Sequence, residues 1–184
     1  MKKQKYVLKM VLSALFLALT YILPYITGQL QEFGSMLCPM HIPVLLCGFI
    51  CGWQWGLVIG FTAPLFRSAV AGMPIMFPSA VCMAFELAVY GALSGIVYKI
   101  LPKKKIYTYV SLLISMVSGR IVWGIAMLTC MNIKGGGFTF SAFISGAFLN
   151  SIPGIVLQIV LVPLIVMTFE KLMKNSRKEE SISL

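Results

Sequence analysis

Charged residues are scarce in this chain of 184 residues: they make up 11% of it, whereas 59% of its residues are hydrophobic. A soluble domain uses about 25% charged residues to cover its surface. The deficit excludes an ordinary soluble domain. It predicts an all-α integral membrane protein that forms a single domain over residues 1–184.

The sequence also has few residues that could serve catalysis or hold a cofactor. It contains one histidine, no Cys-x-x-Cys pair and no Gly-Lys-Ser/Thr phosphate-binding loop. Structural zinc sites need several Cys or His ligands, and a nucleotide-binding loop needs that Gly-Lys motif. We therefore expect no metal, no cofactor and no enzymatic activity. Any use of ATP has to come from partner proteins.

Long apolar runs predict a bundle of six transmembrane helices, since about 20 apolar residues suffice for one crossing. The second and third spans come from one apolar block, which is interrupted only at Gly52-Trp53-Gln54-Trp55-Gly56. We interpret this interruption as a tight turn between two short or tilted helices. The sixth span is long enough to cross the bilayer and project beyond it. The predicted spans are 6–26, 39–51, 53–71, 79–100, 107–131 and 138–172.

The basic residues are distributed in a way that indicates membrane topology rather than nucleic-acid binding, although the formal net charge is +10. They form clusters before the first span, between the fourth and fifth spans and after the sixth. Short cytoplasmic loops carry an excess of Lys and Arg. With six crossings, all three clusters face the cytoplasm, as do both termini, which predicts a multi-pass protein of the cell membrane. An odd number of spans would put the last cluster outside.

Small residues recur at helical spacing and predict close packing between helices. Gly48, Gly52, Gly56 and Gly60 follow one another every four residues, and so do Ala80, Ala84, Ala88 and Ala92. We expect both stripes to pack within the bundle. Ala14 and Ala18 in the first span can do the same, or they can contact another subunit.

Five polar side chains inside the spans fall at similar depths toward the outer side. An ionisable group in hydrocarbon costs about 2.5–3.5 kcal/mol on insertion scales, so these groups indicate function. We expect them to converge on a pocket open to the outside, with aromatic surface from Tyr90, Trp123, Phe85 and Phe77. The five residues are His41, Arg67, Glu86, Arg120 and Asn150.

Two interpretations of the charged residues stay open. Glu86 and Arg120 can form a salt bridge that only locks two helices together. However, Arg67 adds a second positive charge, so the cluster has one cation without an internal partner. A ligand carboxylate or phosphate would satisfy that cation, and the arginine fork suits such groups.

Several of these features together resemble a known family. They are the six spans, the Ala14-x-x-x-Ala18 motif in the first span, and the stretch MHIPVLLCGFICGWQWGLVIGF that begins at Met40. The chain resembles the substrate-binding (S) components of energy-coupling factor (ECF) transporters, which capture vitamins and related micronutrients.

The resemblance implies partners for the chain and roles for its residues. Ala14 and Ala18 would face a membrane-embedded T component, which is coupled to two cytoplasmic ATPases. The loop after the first span would close over the substrate through Gln29, Gln31 and Glu32. The pocket would lie between the fourth, fifth and sixth spans. The residues that match it in this chain are Glu86, Tyr90, Arg120, Trp123 and Asn150.

The resemblance specifies the substrate less closely than the partners and the site residues. The His-Ile-Pro-Val stretch is most similar to pantothenate-type members, while pyridoxine and other small micronutrients remain alternatives. A different class of function also stays open, namely a small membrane channel or a scaffold protein without a vitamin ligand. A channel requires polar groups through its full depth, whereas polarity in this chain decreases toward the cytoplasm.

Overall fold

The computed structural model describes residues 2–28, 37–102, 104–133, 135–137 and 139–182, and within these ranges the chain is helical with no β-strand. One short helical turn, Met76–Ala80, precedes the helix that begins at Val81, and another, Leu149–Ser151, precedes the helix that begins at Ile152. The α-helices are α1 (Lys2–Gly28), α2 (His41–Cys51), α3 (Trp53–Ala71), α4 (Val81–Ile100), α5 (Lys105–Ile133), α6 (Phe140–Ala147) and α7 (Ile152–Ile182).

Four helical stretches of the described chain are long and apolar enough to cross a membrane: Tyr6–Thr27, Met76–Ile100, Lys105–Ile133 and Phe140–Asn175. They correspond to the predicted first, fourth, fifth and sixth spans. The predicted second span is α2, whose 11 residues extend only about 16 Å at 1.5 Å per residue. That length is about half of the hydrocarbon thickness. The all-helical membrane class is thus supported, and the count of six crossings stays a prediction.

The turn between α2 and α3 lies at Gly52, where the sequence predicted a break. Gly52 has φ 104° and ψ 168°, a conformation that residues with a Cβ rarely adopt. Its N–H donates to the carbonyls of Cys47 and Gly48, which closes the end of α2. The chain therefore reverses within one residue, and α3 runs back along α2.

Helix α2 forms the centre of the bundle. All but one of its residues are buried, and it packs against α1, α3, α4 and α7. A helix that is apolar on every side lies in a protein core or in contact with lipid, and the burial of α2 places it in the core. Its sequence, HIPVLLCGFIC, has no polar face apart from the histidine at its start. This placement puts His41 inside the protein.

Glycines allow α3 and α4 to approach at backbone distance. A Cβ at Gly56 would collide with the carbonyl of Gly91, and one at Gly60 would collide with the carbonyl of Leu87. The predicted internal packing of the glycine stripe is confirmed at these positions. Ala84 on the facing helix is also buried. The tight α3–α4 pair fixes the position of Glu86, which lies on α4 directly before the contact at Leu87.

The predicted sixth span is wrong as a single helix, because the chain breaks between α6 and α7. Phe148 leaves the helical conformation at φ −121° and ψ −60°, and a 3-10 turn follows over Leu149–Ser151. Pro153 has no N–H to donate to the carbonyl four residues earlier, so a continuous helix would lose a hydrogen bond there. The break changes where Asn150 points.

Candidate functional site

Glu86 is the centre of a polar cluster that joins three helices. Its Oε1 lies 3.1 Å from Nη1 of Arg120 on α5 and 3.5 Å from Nε2 of His41 on α2. The three residues are nearly enclosed, with exposed fractions of 1% for Glu86, 2% for His41 and 5% for Arg120. The structure thus brings together three of the side chains that the sequence placed at one depth.

Tyr90 lies one helical turn after Glu86 and completes the cluster. Its ring meets the imidazole of His41 edge-on, with 5.2 Å between the ring centroids, and the residue is fully buried. Gly119 makes room for this ring, because a Cβ at position 119 would lie 2.7 Å from two of its carbon atoms. The small residue next to Arg120 therefore determines how closely α5 approaches Tyr90.

The cluster is enclosed, in contrast to the pocket open to one side that the sequence predicted. The reason is that its members fill the space themselves: the carboxylate pairs with the guanidinium, and the Tyr90 ring packs against α5. Apart from the ion-paired Glu86 Oε1 and His41 Nε2, three buried polar atoms of the cluster nevertheless have no hydrogen-bond partner in the described part of the chain. They are His41 Nδ1, the Tyr90 hydroxyl and Arg120 Nε.

Two sulfur-containing residues before α2 also belong to the site, and the sequence reasoning missed them. Nη2 of Arg120 lies 3.8 Å from Sγ of Cys38, and the carbonyl of Cys38 accepts from the N–H of His41 at 3.0 Å. Nη1 of Arg67 lies 3.5 Å from Sδ of Met40. The only signal in the sequence was their position within three residues of His41.

Arg67 lies beside the cluster rather than within it. It is half-buried on α3, and its Nε is buried with no partner among the described residues. The thioether of Met40 is a weak, uncharged acceptor, so among the described residues this contact does not neutralise the charge of the guanidinium. The surplus positive charge that the sequence indicated is therefore close to the Glu86 pair, separated from it by the start of α2.

Trp123 and Asn150 are placed away from the Glu86 cluster. Trp123 is half-buried and stacks on Phe143 of α6, with 6.4 Å between ring centroids and 27° between the ring planes. Asn150 is exposed on the turn Leu149–Ser151, because the predicted continuous helix ends before it. We do not retain Asn150 as a member of the cluster.

The remaining predicted residues divide into two groups. Phe77 and Phe85 are 41% and 47% exposed, so they face away from the bundle. The sequence predicted that they would line the pocket, and they do not line the cluster. The predicted loop contacts fall outside the described residues, so their roles stay predictions. These are Gln29, Gln31 and Glu32.

Ala14 and Ala18 are both exposed on the outer face of α1. The opposite face of the same helix is buried through Ser13, Phe16 and Thr20. Of the two possibilities that the sequence left open, packing within this bundle is therefore excluded for these alanines. Their face is available to lipid or to another protein.

Comparison with known proteins gives one family and no individual relative. Neither the curated proteins nor the solved structures contain a match to this chain. The family model described as "ECF transporter, substrate-specific component" matches residues 8–166. The match extends from α1 into α7 and includes every member of the Glu86 cluster. The chain therefore belongs to the family of substrate-specific components of ECF transporters.

Proposed function

We propose that this protein is the substrate-capture subunit of an ECF-type ABC importer, and that it binds a small, vitamin-like anion at the Glu86 cluster. Membership of the family supports the general role of a substrate-binding subunit. The choice of site and the charge of the ligand rest on the geometry of the cluster.

The observation that carries the choice of site is the set of unpartnered polar atoms around an ion pair. His41 Nδ1, the Tyr90 hydroxyl and Arg120 Nε come from three helices and are buried. A buried polar group without a hydrogen bond costs about 1–3 kcal/mol. A ligand with several donors and acceptors would remove that cost, and its binding would be favoured accordingly.

The charge balance supports an anionic ligand. Two guanidinium groups, those of Arg67 and Arg120, lie at or beside the cluster, whereas Glu86 supplies the only carboxylate there among the described residues. A ligand carboxylate would compete with Glu86 for Arg120, and Arg67 would supply the second positive charge. Pantothenate is our first candidate, because it combines a carboxylate with amide and hydroxyl groups.

The proposed membrane arrangement follows from the basic clusters. Both termini lie in the cytoplasm, six segments cross the cell membrane, and the Glu86 cluster lies toward the outer side. The exposed face of α1 that contains Ala14 and Ala18 docks on a T component in the bilayer. Two cytoplasmic ATPases bound to that component supply the energy, since this chain has no phosphate-binding loop.

A purely structural role for the Glu86–Arg120 pair is the main alternative for the site. The short distance and deep burial of the pair support this structural role as well as they support ligand binding, because such a pair also holds α4 against α5. The two interpretations differ in one consequence. If the pair is only structural, replacing both residues by neutral ones of similar size should leave ligand binding intact.

Titration of the purified protein tests the ligand class. We expect pantothenate to bind and its alcohol analogue, panthenol, to bind about 10–100-fold more weakly, since a hydrogen bond to a charged group contributes about 1.5–3 kcal/mol. Arg120→Gln should remove the difference between the two compounds. Equal affinities for the acid and the alcohol in the unmodified protein would contradict an anionic ligand, and other micronutrients would then be tested in the same way.

A further inference from the structure

Two adjoining grooves lie at the end of the bundle opposite the Glu86 cluster. Their volumes are about 430 and 560 Å³, and both are lined by Tyr98, Glu170 and Lys174. They lie where α4 ends, where α5 begins and beside residues 166–174 of α7. In the proposed membrane orientation, this end faces the cytoplasm. Neither groove belongs to the substrate site.

Lysines from separate parts of the chain converge on these grooves. Among the described residues, Glu170 is the only acidic residue in the lining and interacts with Tyr98, so these residues give the lining a net charge of +4 from five cations and one carboxylate. The lysines come from α1, from the start of α5 and from α7. They are Lys9, Lys104, Lys105, Lys171 and Lys174.

The wall of the larger groove is apolar. Leu8 and Leu12 of α1, Phe49 of α2, and Val166 and Phe169 of α7 line it beside the lysines. The groove therefore has two chemical parts, a basic rim at the end of the bundle and a hydrocarbon surface that continues along the helices. A small soluble anion would use only the rim.

We propose that this double groove binds an anionic glycerophospholipid of the cytoplasmic leaflet. The phosphate lies among the lysines, and one acyl chain lies between α1 and α7 against Leu12 and Phe49. Basic pockets between transmembrane helices on the cytoplasmic side suit anionic head groups, and each nearby lysine strengthens the attraction. The combination of a net positive rim and an apolar wall at membrane level favours a lipid over an acidic peptide.

Native mass spectrometry of the purified full-length protein tests this proposal. Phosphatidylglycerol and phosphatidylcholine with identical acyl chains are titrated separately, and bound lipids are counted. We expect phosphatidylglycerol to bind at least about tenfold more tightly. Lys171→Gln combined with Lys174→Gln should abolish this preference. The matched control, Lys3→Gln with Lys99→Gln, removes the same charge from exposed positions outside both grooves and should keep it.

Three results would overturn the proposal. If both double variants lose the preference for phosphatidylglycerol to the same extent, the preference is a general effect of net charge. Displacement of the lipid by glycerol 3-phosphate would indicate a site for a soluble phosphate. Unchanged lipid binding in Lys171→Gln/Lys174→Gln, together with lost binding of the T component and ATPases, would make the groove a protein-docking surface. None of these readouts depends on vitamin binding, so failure here leaves the proposed transport function untouched.

Discussion

Nη1 of Arg120 lies 3.1 Å from Oε1 of Glu86, which joins α5 to α4 inside the bundle. Both side chains are almost fully buried, so each charge depends on the other. Removing one partner of a buried pair typically destabilises a protein by about 3–5 kcal/mol, because the remaining charge is left uncompensated. Removing both charges avoids that penalty.

We therefore expect Glu86→Gln and Arg120→Gln to lower the free energy of unfolding by about 3–5 kcal/mol each, and the double variant to be closer to the unmodified protein than either. Denaturant titration in detergent micelles measures these values. Asn132→Ala, at an exposed position, is the control and should change stability by less than about 0.5 kcal/mol. Additive losses in the double variant would show that the two side chains do not stabilise each other.

Gly119 determines how closely the Tyr90 ring packs against α5. Gly119→Ala would add a methyl group 2.7 Å from that ring, so the ring or the helix must shift. We expect a loss of about 1–3 kcal/mol in the free energy of unfolding, as for other overpacked sites, together with weaker ligand binding.

The matched control is Gly137→Ala, where an added Cβ meets no atom within 4 Å. It should leave both stability and ligand affinity unchanged. If Gly119→Ala behaves like this control in both measurements, the Tyr90 ring is not fixed by the contact with α5.

The exposed face of α1 is predicted to bind the T component. Ala14→Leu and Ala18→Leu should block cellular uptake of the ligand, because the larger side chains prevent close approach of another helix. The isolated variants should still bind ligand with normal affinity, since both positions point away from the bundle. Ala142→Leu, at an exposed alanine on α6, should affect neither property. Normal uptake by the α1 variants would remove Ala14 and Ala18 from the interface.

Cysteine accessibility tests the number and direction of the crossings. Gly137→Cys and Met73→Cys should react with a membrane-impermeant maleimide in intact cells, whereas Gln54→Cys and Lys104→Cys should react only after permeabilisation. All four positions are exposed: Gln54 and Met73 lie at the two ends of α3, and Lys104 and Gly137 lie before and after α5. The unmodified protein is the control, because four of its five cysteines are buried and Cys38 is half-buried. Labelling of Gln54→Cys from outside would exclude α3 as a separate crossing.

The sequence predicted the parts of the fold that depend on local chemistry. The apolar runs identified the four helical stretches that are long and apolar enough to cross a membrane, and Gly52 marked the reversal between α2 and α3. The glycine stripe indicated where α3 and α4 approach each other, since only small residues permit backbone contact. Each of these features is encoded within a few neighbouring residues.

Features that depend on tertiary arrangement were harder to predict. The break before Pro153 turned Asn150 outward, although the apolar run itself continues through this region. Cys38 reaches Arg120 across 82 positions, a contact that no spacing in the sequence specifies. Convergence of His41, Glu86 and Arg120 was predictable from similar depth, whereas their close pairing and enclosure required the packing of α2 at the centre.

Analysis of small molecules that co-purify with the protein tests the central claim most directly. The protein is isolated without added vitamin, and bound compounds are released and identified by mass spectrometry. We expect a single carboxylate-containing micronutrient in near-stoichiometric amount from the unmodified protein, and none from a folded Glu86→Gln/Arg120→Gln variant. The same compound in the same amount from both preparations would contradict the assignment of the Glu86 cluster as the substrate site.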